Sequence, residues 1–182
     1  NLEYLSAEDW VHGCHALPSP HSYLPLQKYF FFPGFTEQTG GLLREQGRVD
    51  SLTKLRDSTE LQQEFWQQLG LVDAMNYQQK ISLFAYSQSQ IRPWLELLAR
   101  SAQSTLLLVP QGQLATDLTQ LYSELKTGRF DDKSLSIRIL DFMPQPMYDQ
   151  LLACCDINFV RGEDSVIRAH WAGRPFIWQI YR

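Results

Sequence analysis

From about residue 77 onward, short apolar segments alternate with segments whose apolar residues recur at helical spacing. The apolar segments predict five strands, which are Ile81–Tyr86, Thr105–Pro110, Ser136–Phe142, Ile157–Val160 and Pro175–Tyr181. The spaced segments predict four helices between them, and the second carries Leu114, Leu118, Leu121 and Leu125 on its inner side. Strands that alternate with helices pair in parallel through right-handed crossovers. The pattern therefore predicts a doubly wound α/β sheet covered on both faces.

The first 75 residues show a different pattern. Asn1–Leu5 and Tyr29–Phe32 predict strands joined by a Pro-rich loop, and Asp50–Leu69 predicts one long helix. Two strands and a helix do not make a stable domain alone, so we expect this sequence to belong to a longer protein that completes the sheet. The pattern predicts two domains, at residues 1–72 and 77–182, with Gly70–Gln79 as the link.

Composition narrows the functional classes. The 182 residues are 44% hydrophobic and 20% charged, as in ordinary globular proteins. Sixteen Lys and Arg against twenty Asp and Glu give a net charge of −4, which disfavours nucleic-acid binding over a broad surface. The longest apolar runs, Tyr29–Phe32 and Leu106–Val109, are far shorter than a membrane span, so no membrane association is expected.

Cysteine usage favours a reducing, cytoplasmic location. The sequence has an odd number of cysteines, which are Cys14, Cys154 and Cys155. The adjacent pair, Cys154 and Cys155, is poorly placed to form a disulfide with itself, so no disulfide framework is expected. Cys14 also lies near three histidines, His12, His15 and His21, but without the CxxC or HxxxH spacing of a zinc site. We therefore expect no bound metal.

The segment Arg161–Ser165 (RGEDS) places a strand end, a glycine and a helix start in succession. The unpaired N–H groups and the dipole of a helix start favour a diphosphate there. Gly162 allows close approach of the backbone, Ser165 offers a hydroxyl, and Arg161 a permanent cation. Glu163 and Asp164 either cap the helix or direct a carboxylate at sugar hydroxyls or a cationic acceptor.

Aromatic residues end two predicted strands at the same edge of the sheet. Phe84 and Tyr86 end the first strand of the second half, and Phe142 ends the third. These rings either grip a nucleotide base by stacking or belong to the core. Gln145, in the following Pro-bracketed loop, either hydrogen-bonds a base or phosphate or is solvated.

Two further segments have simpler interpretations. Phe30–Phe35 runs into Thr39-Gly40-Gly41, which either lines a cleft or forms a plain turn, and neither GxGxxG nor GxxxxGK[ST] is present. Asp131 and Asp132 are expected in a solvated polar loop.

Two long segments carry a resemblance to a known family. FFFPGFTEQTGGLLRE (residues 30–45) and RGEDSVIRAHWAGRPFIWQIY (residues 161–181) closely resemble the protein-arginine rhamnosyltransferases that modify bacterial translation elongation factor P. NLEYLSAEDW (residues 1–10) and FMPQPMYDQLLACCDINF (residues 142–159) are similar to the same family. The resemblance implies the GT-B glycosyltransferase architecture of two Rossmann-like domains, the first incomplete in this sequence. It also implies inverting, metal-independent transfer of rhamnose from dTDP-β-L-rhamnose to an arginine of that factor.

The resemblance also implies a role for each candidate residue. Phe84 and Phe142 would hold the thymine, and Tyr86, Gln145 and Arg161 would contact the nucleotide. Glu163, Asp164 and Ser165 would line the diphosphate and sugar, with Glu163 important for turnover. The family's other essential carboxylate is an Asp in a DNFGD-like segment that this sequence does not contain. The residues alone also allow an epimerase-like nucleotide-sugar enzyme or a non-catalytic nucleotide-sugar-binding module.

Overall fold

The computed structural model describes residues 1–87, 90–122, 128–132 and 134–180. The chain divides into two compact units, Asn1–Gln46 and Gly47–Arg182. This boundary lies earlier than the predicted one at residues 72–77, because the helical segment that follows Gly47 packs within the second unit. Apolar spacing predicts a helix but does not tell which neighbour its apolar side contacts.

The first unit contains a short 3-10 helix, Asp9–Gly13, and the two-stranded antiparallel ladder of β1, Pro18–Pro20, and β2, Gln27–Tyr29. The strand predicted at Asn1–Leu5 is reduced to one bridge between Leu2 and Phe31. The loop predicted around Pro18 is instead the strand β1, since a two-stranded ladder tolerates proline on its outer edge.

Six strands among the described residues form the sheet of the second unit. They are β3, Gln79–Leu83; β4, Thr105–Pro110; β5, Arg129–Asp132; β6, Leu135–Leu140; β7, Ile157–Arg161; and β8, Phe176–Gln179. Their order is β5-β6-β4-β3-β7-β8, and all neighbouring pairs are parallel except β5 with β6. The predicted parallel α/β sheet is confirmed, with one antiparallel strand added at its edge. Tyr181, placed in the last strand by the sequence pattern, lies outside the described residues.

Six α-helices of the described residues accompany the sheet. They are α1, Arg48–Asp57; α2, Thr59–Gln68; α3, Ile91–Ala99; α4, Gln113–Leu121; α5, Gln145–Cys154; and α6, Gly162–Ala172. The single long helix predicted over Asp50–Leu69 is wrong. Ser58 is extended between α1 and α2, and its side chain accepts a hydrogen bond from the amide of Leu61, which caps α2. Leu125, predicted on the inner side of α4, lies outside the described residues.

The core forms where the helices cover the sheet. Leu95 of α3 and Leu118 of α4 pack with Ile81, Leu107 and Ile137 on one face. On the other side α5 contacts β3, α6 contacts β7, and α1 packs against both α5 and α6. Among the described residues, no helix combines the length and the apolar character that a bilayer crossing requires.

Polar contacts help to hold β5 on the edge of the sheet, where the sequence pattern predicts a loop. Asp131 belongs to this strand rather than to a solvated loop, and it accepts hydrogen bonds from Ser136 and Arg138.

Within the predicted link Gly70–Gln79, Ala74 is fully buried, so this segment packs as part of the second unit. The hydroxyl of Tyr77 donates to Ser136 at 2.8 Å.

The order of the strands fixes where a ligand site is expected. From β3 the chain first moves outward to β4 and β6, then returns to β7 on the other side of β3 and continues to β8. The direction of winding therefore switches between β3 and β7. In open α/β sheets, ligands bind beyond the carboxyl ends of the strands at this switch point.

Candidate functional site

Three of the predicted site residues meet at the switch point between β3 and β7. The guanidinium carbon of Arg161, at the end of β7, lies 4.6 Å from the ring centroid of Phe84 and 4.5 Å from that of Tyr86. These distances are typical of cation–π contacts. The amide of Phe84 donates to the carbonyl of Phe159 at 3.0 Å, and the amide of Tyr86 donates to Oε1 of Gln179 at 2.6 Å. The segment after β3 is thus fastened to β7 and β8.

Phe84 and Phe142 occupy different environments. Phe84 is half-buried and lies edge-on to Tyr148 of α5, with ring centroids 5.9 Å apart. Burial raises the pKa of the Tyr148 phenol well above its usual value, so this ring acts as a neutral support. The side chain of Phe142, between β6 and α5, is 90% exposed, so the interpretation of Phe142 as a core residue is wrong.

The start of α6 combines an extended residue with a glycine in the left-handed region. Arg161 is extended and Gly162 has φ of 69°, in the left-handed region. Apart from its chain neighbours and the nearby backbone of α6, nothing lies within 4 Å of the place where a Cβ on Gly162 would be, so conformation rather than packing favours glycine there. Glu163 and Asp164 are exposed in the first turn, where their negative charge also favours the helix dipole.

The Ser165 side chain fastens this turn from inside the protein. Its hydroxyl oxygen accepts a hydrogen bond from the amide of Arg161 at 3.1 Å, and the hydroxyl donates to the carbonyl of the same residue. Ser165 is buried. The Ser165 hydroxyl therefore holds the backbone of Arg161 in place. A contact between Ser165 and a ligand stays a prediction.

Gln145 and Asp164 connect the starts of α5 and α6. The Gln145 amide donates to Oδ2 of Asp164 at 3.4 Å, and the same oxygen accepts from Nε of Arg168 at 2.8 Å. Gln145 is thus brought to the predicted diphosphate-binding segment, although it follows β6, which is two strands away from β3.

Sequence reasoning missed Arg168 and its partner Asp149. The guanidinium Nη1 of Arg168 donates to Oδ1 of Asp149 at 2.8 Å, and both side chains are buried. Burial alone would lower the pKa of Arg168, but hydrogen bonds to Asp164 and Asp149 outweigh it and raise this pKa above its usual value. The spacing of Asp164 and Arg168, four residues apart on a helix, was the available signal for this pair. No comparable sequence signal points to Asp149.

The remaining candidates have structural explanations or lie away from the switch point. A cavity of about 630 Å³ beside α4 is lined by Gln111, Gly112, Ala115, Thr116, Thr119, Gln120 and Ile139, none of which is a predicted site residue. The hydroxyls of Thr116 and Thr119 donate to carbonyls of Gly112 and Ala115 and so are already used within the helix.

The loops of the first unit also have structural explanations. Gly40 lies against the ring of Phe31, so a side chain there would collide with it, and the glycine-rich segment forms a packed turn. Nδ1 of His15 accepts from the amide of Phe32 at 3.2 Å. In the part of the chain that the structure describes, no three His, Cys, Asp or Glu side chains are grouped as metal ligands would be.

Fold and site together define a doubly wound α/β protein with a cationic and aromatic cluster at its switch point. The family model described as "Elongation-Factor P (EF-P) rhamnosyltransferase EarP" matches residues 1–182, and the chain belongs to this family. The resemblance seen in the sequence is therefore confirmed.

Individual relatives agree with this assignment. The chain is 48% identical to the protein-arginine rhamnosyltransferase of Pseudomonas aeruginosa, covering all of this chain and 49% of that protein. It is 49% identical to that of Pseudomonas putida and 35% identical to that of Neisseria meningitidis, covering 48% and 46% of those proteins. The chain thus spans about half the length of the curated relatives it matches.

A solved structure, described as the structural basis for EarP-mediated arginine glycosylation of translation elongation factor EF-P, also matches. The TM-score is 0.77 at 42% identity, and the match covers 84% of this chain and 50% of the other. The similarity therefore extends from the sequence to the backbone fold.

Proposed function

We propose that the full-length protein transfers rhamnose from dTDP-β-L-rhamnose to an arginine side chain of translation elongation factor P. In this proposal the transfer inverts the sugar configuration, needs no metal and takes place in the cytoplasm, in a cleft of the GT-B type. The second unit binds the donor. The observation that carries the proposal is the Arg161 guanidinium, held over Phe84 and Tyr86 beside the start of α6 at the switch point.

The charges and rings at this edge suit a thymidine diphosphate. The guanidinium of Arg161 is a cation, and the N-terminus of α6 adds partial positive charge, so both attract a diphosphate. The exposed ring of Phe142 offers a face on which the thymine stacks, and Phe84 contributes a second ring. In this proposal the diphosphate and the sugar are lined by residues at the same edge, which are Gln145, Gly162, Asp164 and Ser165.

The chemistry requires carboxylates as well as a cationic site. A guanidine nitrogen of the acceptor attacks C1 of rhamnose as the C1–oxygen bond breaks, and dTDP leaves from the opposite face. The attacking nitrogen must lose a proton, since an arginine side chain is protonated and a poor nucleophile. In the proposal a carboxylate outside this sequence accepts that proton, while Glu163 orients the guanidinium. Arg161 and the α6 terminus stabilise the charge that develops on the departing diphosphate.

The test replaces Glu163 in the full-length protein. The Glu163→Gln variant keeps the shape of the side chain and removes its charge, so turnover of elongation factor P should fall by about a hundredfold. Its affinity for dTDP, measured by calorimetry, should stay within about twofold, because Glu163 acts on the acceptor. Glu96→Gln, at a partly exposed carboxylate on α3, is the matched control and should leave both quantities unchanged.

Mass spectrometry of the acceptor distinguishes the competing activities. Only the transferase adds the mass of a deoxyhexose to an arginine of elongation factor P. An epimerase-like enzyme would alter the nucleotide sugar and leave the factor unmodified, and a binding module would bind dTDP without any product. Either of those outcomes contradicts the proposed function. Unchanged turnover in the Glu163→Gln variant would contradict the proposed role of Glu163.

A further inference from the structure

A chain of four alternating charges leads from the interior of the second unit to the start of α6. Asp149 on α5 is fully buried and its Oδ2 lies 3.4 Å from Nε of Arg48 on α1. Its other oxygen accepts from Arg168 at 2.8 Å, and Arg168 in turn donates through Nε to Asp164 at 2.8 Å. Asp164 is the outermost member, with 67% of its side chain exposed.

Burial makes the inner part of this chain rigid. An unpaired carboxylate inside a protein is costly, so Asp149 holds its arginine partners in place. Arg168 is only 5% exposed and its planar guanidinium presents two different nitrogens to two different carboxylates. The exposed carboxylate of Asp164 is therefore attached to a buried anchor rather than left to move with the solvent.

The position of Asp164 creates an electrostatic conflict in the donor site. A carboxylate in the first turn of α6 would repel the diphosphate that the helix terminus and Arg161 attract. Arg168 and Gln145 both donate to Oδ2 of Asp164. These hydrogen bonds hold the negatively charged oxygen between α5 and α6.

We propose that Arg168 is a positioning residue for donor binding: it holds the Asp164 carboxylate beside Gln145 and offsets its charge, so that a diphosphate can bind at the start of α6. This inference rests on the proposed function of the site. Arg168 itself does not touch the donor, and it acts through Asp164. A lysine at this position would carry the charge but not the planar fork that serves both carboxylates.

The first experiment replaces the buried pair with apolar residues in the full-length protein. An Asp149→Leu/Arg168→Met variant removes both buried charges together, an exchange that folded proteins commonly tolerate. Its melting temperature should stay close to that of the parent, while its Kd for dTDP should rise by about tenfold. Should this variant fail to fold, Arg168→Lys, which keeps a cation for Asp149, is measured with the same expectation.

The second experiment tests whether Arg168 acts through Asp164. Adding Asp164→Asn to the substituted protein removes the carboxylate whose charge is no longer offset, and dTDP affinity should recover to within about threefold of the parent. A purely structural role for Arg168 would not produce this rescue. The control is Arg48→Gln, which removes the outer partner of Asp149 and should lower the melting temperature without changing dTDP affinity.

The outcomes separate the inference from the proposed function. A parent protein that does not bind dTDP overturns the proposed function of the site. If the parent binds and the Arg168 variant binds equally well, the inference is overturned and the proposed function stands. A loss of affinity that Asp164→Asn does not restore also overturns the inference, since Arg168 would then act independently of Asp164.

Discussion

Two phenylalanines that follow strands of one sheet differ in what they contribute to the folded protein. Phe84 is half-buried and packs on Tyr148, so its ring supports the fold and forms part of the candidate site. Phe142 is 90% exposed, so its ring adds little to the packing of the core. The two roles of an aromatic residue, packing and ligand stacking, can therefore be separated by experiment here.

We expect Phe142→Ala to weaken dTDP binding without weakening the fold. The free energy of unfolding should change by no more than about 0.5 kcal/mol, as for an ordinary surface substitution. The Kd for dTDP should rise by about tenfold, because stacking on an aromatic ring contributes roughly 1–3 kcal/mol per base. Calorimetry and urea unfolding measure the two effects. Unchanged dTDP affinity would show that Phe142 is not a base contact.

At the scale of single residues, the sequence pattern located the candidate-site residues at strand ends better than those on helices. Carboxyl ends of parallel strands share one edge, so the pattern placed Phe84 and Arg161 at the same edge, and the strand order of the structure makes them neighbours. The pair of Arg168 and Asp149 required knowledge of how α5 packs against α6. Helix periodicity does not contain that information, because it gives an inner face and no partner.

At the scale of elements, β5 shows how a short polar strand is held on a sheet. Its residues, Arg129–Asp132, lack the apolar alternation that predicts a strand. They pair with β6, and the Asp131 carboxylate accepts hydrogen bonds from Ser136 and Arg138. Nη2 of Arg138 also lies 3.4 Å from Oδ2 of Asp73. These polar contacts add to the packing of Phe130, the one apolar side chain of β5, against the core.

The stability contributed by Asp131 should depend on pH in a defined direction. Partial burial opposes its ionisation, but hydrogen bonds from Ser136, Arg129 and Arg138 outweigh it and lower the pKa of Asp131 to about 2. The ionised group therefore stabilises the fold fully above pH 4, near its ordinary pKa of 3.8, and this stabilisation is lost as the pH falls toward 2.

Comparison with Asp131→Asn measures this effect. The variant should unfold at lower urea concentration than the parent at pH 7, and the gap between them should narrow as the pH falls from 4 to 2. Asp132→Asn, at the exposed neighbouring position, serves as the control and should change little. A gap that stays constant with pH would contradict the ionic role of Asp131.

Helix boundaries were the least accurate part of the sequence interpretation at this scale. Leu61, Phe65 and Leu69 have helical spacing, but all three follow Ser58, so they do not show whether the helix continues through that residue. Ser58 is a residue type that favours helix N-caps, but the spacing of apolar residues does not indicate where a helix is capped. The strand–helix alternation after residue 77 was predicted well because buried strands and amphipathic helices differ clearly in period.

At the scale of the whole molecule, the three cysteines report on different parts of the chain. Cys14 belongs to the first unit and is partly exposed, while Cys154 and Cys155 are buried in the second unit. Burial raises the pKa of Cys154 to about 12 and that of Cys155 well above its usual value. Neither buried thiol forms appreciable thiolate at neutral pH in the folded protein.

Alkylation with iodoacetamide at pH 8 should therefore modify Cys14 first. Cys154 and Cys155 should react only when the second unit opens, as followed by peptide-resolved mass spectrometry. Adding dTDP at about 100 times its Kd should slow their modification by roughly a hundredfold, because ligand binding stabilises the folded unit by about 2.7 kcal/mol. Rapid modification of both buried cysteines in the native protein would contradict the described packing.

The contact of Arg161 with Phe84 and Tyr86 also has a thermodynamic consequence. A mobile arginine side chain loses about 2 kcal/mol of rotational freedom when it becomes fixed. Here two rings and the fastened backbone impose much of that loss during folding. An incoming anion then meets a preorganised cation, and more of the electrostatic attraction appears as net affinity.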